Sequence, residues 1–191
     1  GDVARIRFKN SMDVATSVHW HGILLPYRQD GVPFVANPPI EPGETNLFEF
    51  KIKQAGTYWF HSHTGLQEQR GVYGSIVITP KEGERISSDQ DKVIVLSDWT
   101  NENPDEILRT LKSGSDYYSL QKDTLQNMMG AVEKGALADV VKRSLMRMPP
   151  MDISDVAYDA FLANGKTEAF IPAEAGEKVR LRFINSATAT Y

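Results

Sequence analysis

Cysteine is missing altogether from the 191 residues. That excludes disulfides, thiolate metal sites and thiol nucleophiles. Histidine is scarce, with four in the whole chain. Positive charge is in deficit: 21 lysines and arginines stand against 25 acids, a net charge of -4. No basic stripe breaks that balance, so nucleic acid and anionic membrane surfaces are poor partners, because both reward a concentrated positive field. No apolar run comes near the roughly 18 residues that a spanning helix needs. The chain opens at Gly1, inside what reads as a strand, so no signal peptide can be read from its start. The rest, 41% hydrophobic and 24% charged, is ordinary for a globular protein.

The four histidines are not scattered. They form two H-x-H pairs, His19 and His21 in "HWHG", His61 and His63 in "FHSHTG". Along a strand, residues two apart share a face. Each pair therefore aims both imidazoles one way, with Trp20 or Ser62 turned to the other. If the two strands are neighbours, four imidazoles meet on one patch. Imidazole is a common neutral ligand for zinc, copper, iron and nickel. The alternative is a set of structural histidines on a sheet surface, but a supply confined to two matched pairs favours metal. A cupin would add an acid soon after its pair and a lone histidine later; Pro26 stands at the acid's place and there is no fifth histidine. A metallo-β-lactamase-type hydrolase would extend toward H-x-H-x-D-H, which neither pair does.

Alternation marks residues 2 to 10 as a half-buried strand, with Ala4, Ile6 and Phe8 on one side. Further strands are expected at 17 to 24, 45 to 52, 56 to 63, and in "GSIVITP" and "KVIVLSDW". A loop with five prolines, residues 25 to 44, follows the first pair. Many short strands with turn signals between them indicate an antiparallel sandwich or barrel. From Asn103 the pattern changes. Asn103 caps, Pro104 takes the first helical position, and acids fill the first turn. Leu120, Leu125, Met128, Met129, Val132, Leu137, Val140, Val141 and Leu145 then recur at helical spacing. Residues 101 to 155 read as a mainly helical connecting insertion.

The chain also repeats itself. "GDVARIRFKNS" at 1 to 11 returns as "GEKVRLRFINS" at 176 to 186, with six of eleven positions identical. Two copies of one structural unit are expected. Before the second copy runs "YDAFLANGKTEAFIPAEA", with a turn signal at Asn164-Gly165. The chain thus reads as a window on a longer protein. Residues 1 to 100 would be one domain, and 156 to 191 the start of a second. An open edge is expected beside the strand of residues 2 to 10, since the first copy lacks such a lead-in.

"HWHG", the following "DGVP", and "GTYWFHSHTGLQEQRGVYGSIVI" resemble the first cupredoxin domain of the multicopper oxidases. The block at 176 to 186 resembles the start of that family's second cupredoxin domain. "VLSDWTNENPDEILRTLKSGSDYYSLQKDTLQ" and "MRMPPMDISDV" are similar to the bacterial periplasmic copper-resistance branch. The resemblance implies a mainly β fold: a cupredoxin-like antiparallel Greek-key β-sandwich. It implies half the ligands of a trinuclear copper centre that reduces O2 to water. By motif, His19 would bind the type 2 copper, His21 and His61 one type 3 copper, and His63 the other. Asp30 matches a family acid near the type 2 copper that orients water and relays protons; its other reading is a plain Asp-Gly turn. The electron donor would be Cu(I) or a phenol, and the location periplasmic or secreted. The family's blue copper needs a cysteine, so that site must lie in a C-terminal cupredoxin domain outside this chain. Met146, Met148 and Met151 could contact Cu(I) or simply fill packing. Trp20 and Trp59 read as aromatic packing. A copper-sequestering protein without catalysis would use the same histidines.

Overall fold

The computed structural model describes residues 1–113, 117–122, 128–145 and 156–190. Eight strands and four helices follow one another: β1 Val3–Lys9, β2 His19–His21, β3 Thr45–Lys51, β4 Gly56–His61, β5 Tyr73–Ile78, β6 Gln90–Trp99, α1 Pro104–Lys112, α2 Tyr117–Gln121, α3 Met128–Glu133, α4 Leu137–Leu145, β7 Ala160–Ala163 and β8 Val179–Asn185. A 3-10 turn at Tyr27–Gln29 interrupts the proline-rich loop. The chain divides into two compact units, Gly1–Ser97 with Leu162–Ser186, and Asp98–Phe161 with Ala187–Tyr191.

In the first unit, β1 and β3 pair antiparallel, with Ala4 opposite Phe50 and Ile6 opposite Phe48. Burial alternates strictly along both, with Ala4, Ile6, Phe8, Phe48 and Phe50 inward and the charged residues outward, while Val3 and Leu47 stay exposed. β1 has no second ladder partner among the described residues, so its other edge is open. A three-stranded sheet, β2-β4-β5, is antiparallel throughout. The two sheets face one core of Val18, Trp20, Ile23, Ile40, Phe48 and Phe50, with Ile6, Phe8, Tyr58, Phe60 and Ile76 packed on it. Trp20 meets Phe48 edge-on at 5.2 Å between ring centroids. This is the mainly β sandwich expected, and Trp20 is a core residue.

Two differences concern extent and direction. The strand expected at 17 to 24 is only three residues long, because Gly22 takes a positive φ and turns the chain after His21. The "KVIVLSDW" strand, β6, lies between β7 and β8. Its pairing with β8 is parallel, Gln90 against Val179 through Leu96 against Asn185. The mainly antiparallel sandwich therefore carries one parallel pair. Parallel partners need a long crossover, which residues 100 to 178 supply. Asn164 and Gly165 both take positive φ, the turn that Asn-Gly favours. Asn164 then clips onto β6, giving its amide to Val93 O and accepting from Val95 N.

Among the described residues, the second unit holds α1 to α4. Asn103 caps α1 by accepting from Asp105 N, with Pro104 in the first turn, as read from the sequence. Asp98 accepts from the backbone N–H groups of Thr188, Ala189 and Thr190. Of the apolar stripe read across the helices, Met128, Met129, Val132 and Leu145 are exposed. α2 and α3 are under two turns long, and α3 packs through its small residues Gly130 and Ala131. Met146, Met148 and Met151 lie outside the described residues.

Candidate metal centre

The antiparallel register of β2 and β4 sets His19 directly opposite His61, Trp20 opposite Phe60, and His21 opposite Trp59. Trp20 and Phe60 turn into the core, so the histidines and Trp59 share the other face. The rings of His19 and His61 stand 5.4 Å apart, those of His21 and His61 5.3 Å, and those of His19 and His21 5.6 Å, between centroids. One ligand atom from each of these three lies within 4.8 Å of the others. His63 sits beyond the end of β4, 5.9 Å from His19 and 6.1 Å from His61 by centroid. It flanks the three-nitrogen set without joining it.

Hydrogen bonding decides which nitrogen is free in His19 and His61. His61 Nδ1 is 2.9 Å from the Ser62 carbonyl and 2.7 Å from Glu68 Oε2. The carbonyl can only accept and the carboxylate normally does, so Nδ1 carries the hydrogen and Nε2 keeps its lone pair. That Nε2 faces His21 Nδ1 at 3.1 Å. His19 Nδ1 donates to the Asp30 carbonyl at 2.9 Å, which frees Nε2 of that ring. The Asp30 carboxylate is a looser neighbour at 3.4 Å. Trp59 stacks on His61 at 4.4 Å and lies 5.1 Å from His21, closing one side.

The electrostatics follow from this crowding. Burial lowers the pKa of His21, and the nearby His61 and His19 lower it further. Burial pulls His61 down as well, but the Glu68 hydrogen bond, the Ser62 carbonyl and the Glu68 charge together raise it above 6.5.

Two loops hold the pairs in place. Gly31, with φ 79°, lies against β2 so closely that a Cβ would stand 1.7 Å from Val18 O. Its N–H donates to Asn37 Oδ1, and the Asn37 amide donates to Arg28 O, so the Asp30 carbonyl is fixed beside His19. His63 N donates to Ser17 Oγ. Ser17 also accepts from Thr64, while Thr16 and Ser62 donate to Gln67 Oε1. Glu68, Gln67 and Ser17 escaped the sequence reading. Gln67 and Ser17 bridge distant segments, and Glu68 meets His61 across the turn after β4, contacts that strand periodicity does not encode.

Imidazole nitrogens line the patch, and the acids stand behind the His19 and His61 rings. Hard cations such as calcium and magnesium want oxygen ligands. Borderline ions such as copper suit imidazole, and two nitrogens sharing one ion at about 2 Å each can stand roughly 3 Å apart. The donor set therefore fits copper.

The profile of the family described as "Multicopper oxidase" matches residues 1–83. Over its whole length the chain is 46% identical to copper resistance protein A of Pseudomonas syringae pv. tomato and 45% identical to copper resistance protein A of Escherichia coli. It spans 33% of each, so about a third of the length of these curated relatives. Among solved structures, a multi-copper oxidase from Pseudomonas thermotolerans matches all of the chain and 38% of its own, with a TM-score of 0.65 and 26% identity. Histidine pairs, sandwich and similarity agree: residues 1–83 belong to the multicopper oxidase family, whose cofactor is copper.

Proposed function

We propose that this chain supplies half of the ligands of a trinuclear copper centre in an oxidase that reduces O2 to water. His19 would hold the type 2 copper, His21 and His61 one type 3 copper, and His63 the other. The observation that carries the reading is the facing of His21 Nδ1 and His61 Nε2 at 3.1 Å, with His19 within reach of both. Copper, when bound, delivers electrons one at a time to O2, which takes four electrons and four protons to give two waters. The residues of this chain bind and orient. Backbone carbonyls hold the His19 and His61 rings at Nδ1, Glu68 adds to the hold on His61, and Trp59 covers one side of the His21–His61 pair. Asp30, 3.4 Å from His19 Nδ1, would relay protons toward reduced oxygen.

Residues 1 to 100 would form the first cupredoxin domain, 101 to 155 the connecting insertion, and 156 to 191 the opening of a second domain. The remaining ligands and the cysteine-bound blue copper would come from a C-terminal cupredoxin domain outside this chain. The electron donor is Cu(I) or a phenol, the role is copper resistance, and the location is periplasmic or secreted. No helix among the described residues is long and apolar enough to cross a membrane. Copper titration of the chain and of single His19, His21, His61 and His63 to alanine variants tests the reading. Each substitution should weaken binding or lower the stoichiometry. Unchanged binding in all four would refute it.

A further inference from the structure

We propose that Glu68 is a positioning residue for the copper site, holding His61 at Nδ1 and so aiming Nε2 of that ring at His21. The proposal deepens the copper reading and rests on it. Its ground is how residue 68 comes to stand there. After β4 the chain turns through residues 64 to 72, with Gln67 N donating to Thr64 O, Gly71 N to Glu68 O and Val72 N to Gln67 O. Ser62 N closes the loop onto Val72 O. The Gln67 side chain anchors it inward: Oε1 accepts from Thr16 and Ser62, and Nε2 donates to Ala15 O at 2.8 Å. With Gln67 tied, the next side chain is delivered to the back of the His61 ring. The contact is 2.7 Å, onto an imidazole only 8% exposed.

The two carboxylates near the site differ in how they act. At His19 the Asp30 backbone carbonyl makes the 2.9 Å bond, and the carboxylate stays at 3.4 Å. At His61 the acid itself makes the short contact. A carboxylate behind a ligating histidine fixes its tautomer and ring orientation and strengthens the donor nitrogen. Glu68 meets His61 at Nδ1 while Nε2 of the same ring faces His21, so its part is orientation rather than ligation.

The test uses the 191-residue chain with 15N-labelled histidine. In the metal-free protein, the His61 Nδ1–H should give a downfield, slowly exchanging resonance. Glu68→Gln should move it upfield, and Glu68→Leu should move it further. Cu(II) affinity, read by competition with a chelator, should fall by about ten- to hundredfold, more for leucine than for glutamine. Amide spectra matching wild type away from residues 61 to 72 would show that both variants fold. If both variants keep the wild-type Nδ1–H resonance and bind Cu(II) within about twofold of wild type, Glu68 is not a positioning residue. If wild type shows the resonance but takes no copper on its histidines, the copper reading falls and Glu68's role with it, while the hydrogen bond stands.

Discussion

At the scale of single residues, Gly31 shows how tightly the first histidine pair is built. Any side chain there meets the Val18 carbonyl, one residue from His19, and the positive φ of 79° adds strain. Gly31→Ala should destabilise the chain by about 3 kcal/mol or more, as overpacking and left-handed strain combine. Urea unfolding measures this; a loss below about 1 kcal/mol would mean that the turn simply moves away. The histidines themselves should differ in weight. His61 belongs to the three-nitrogen set and His63 stands beside it. His61→Ala should cost about a hundredfold in Cu(II) affinity, roughly 2.8 kcal/mol, and His63→Ala clearly less. Equal losses in a competition titration would contradict the geometry. The shared face of His19, His21 and His61 was legible in the sequence because alternation along a strand fixes which way residues two apart point. Glu68 was not legible, because its place depends on Gln67 bonding to Thr16, 51 residues earlier.

At the scale of elements, the parallel pair β6 and β8 depends on charge. Arg182 makes a bidentate pair with Asp91, 2.7 Å to Oδ1 and 2.6 Å to Oδ2, and also reaches Glu84 at 2.6 Å and Thr57 at 3.1 Å. Arg180 adds a bond to Asp91 at 3.1 Å. The Arg182 hydrogen bonds, helped by Arg180, hold the Asp91 carboxyl at about 2, below its ordinary 3.8. A lowered acid stabilises the fold fully above its unfolded value and loses that contribution as pH falls through the folded one. Stability should therefore drop between about pH 4 and pH 2. Asp91→Asn should be the less stable protein at pH 6 and lose less over that window. Parallel unfolding curves for the two at every pH would contradict this. At α1, Asn103→Ala should cost about 1 kcal/mol, read as faster amide exchange at Asp105, whose N–H loses its acceptor. The start of α1 was plain from Asn103-Pro104, and β1 and β3 from their alternation. The β6–β8 pairing was hidden: its partners lie 89 residues apart, and nothing local in "KVIVLSDW" encodes direction. The exposure of Met128 and Met129 was hidden too, since helices this short cannot bury a long stripe.

At the scale of the whole molecule, the chain carries an internal repeat and matches relatives about three times its length. β1 and β8 carry the same motif, and each sets arginines against acids of a neighbouring strand, Arg5 on Glu49 and Arg182 on Asp91. The chain matches its relatives from end to end yet spans a third of them. What it contributes alone is the histidine patch, without a thiolate. The most direct measurement is pulsed electron paramagnetic resonance on the Cu(II)-loaded chain at neutral pH, with an optical spectrum of the same sample. The account predicts imidazole nitrogen couplings, no intense thiolate-to-copper band, and loss of those couplings when His19, His21, His61 and His63 are all replaced by alanine. Copper held by oxygen ligands alone, or a spectrum indifferent to the four substitutions, would contradict it.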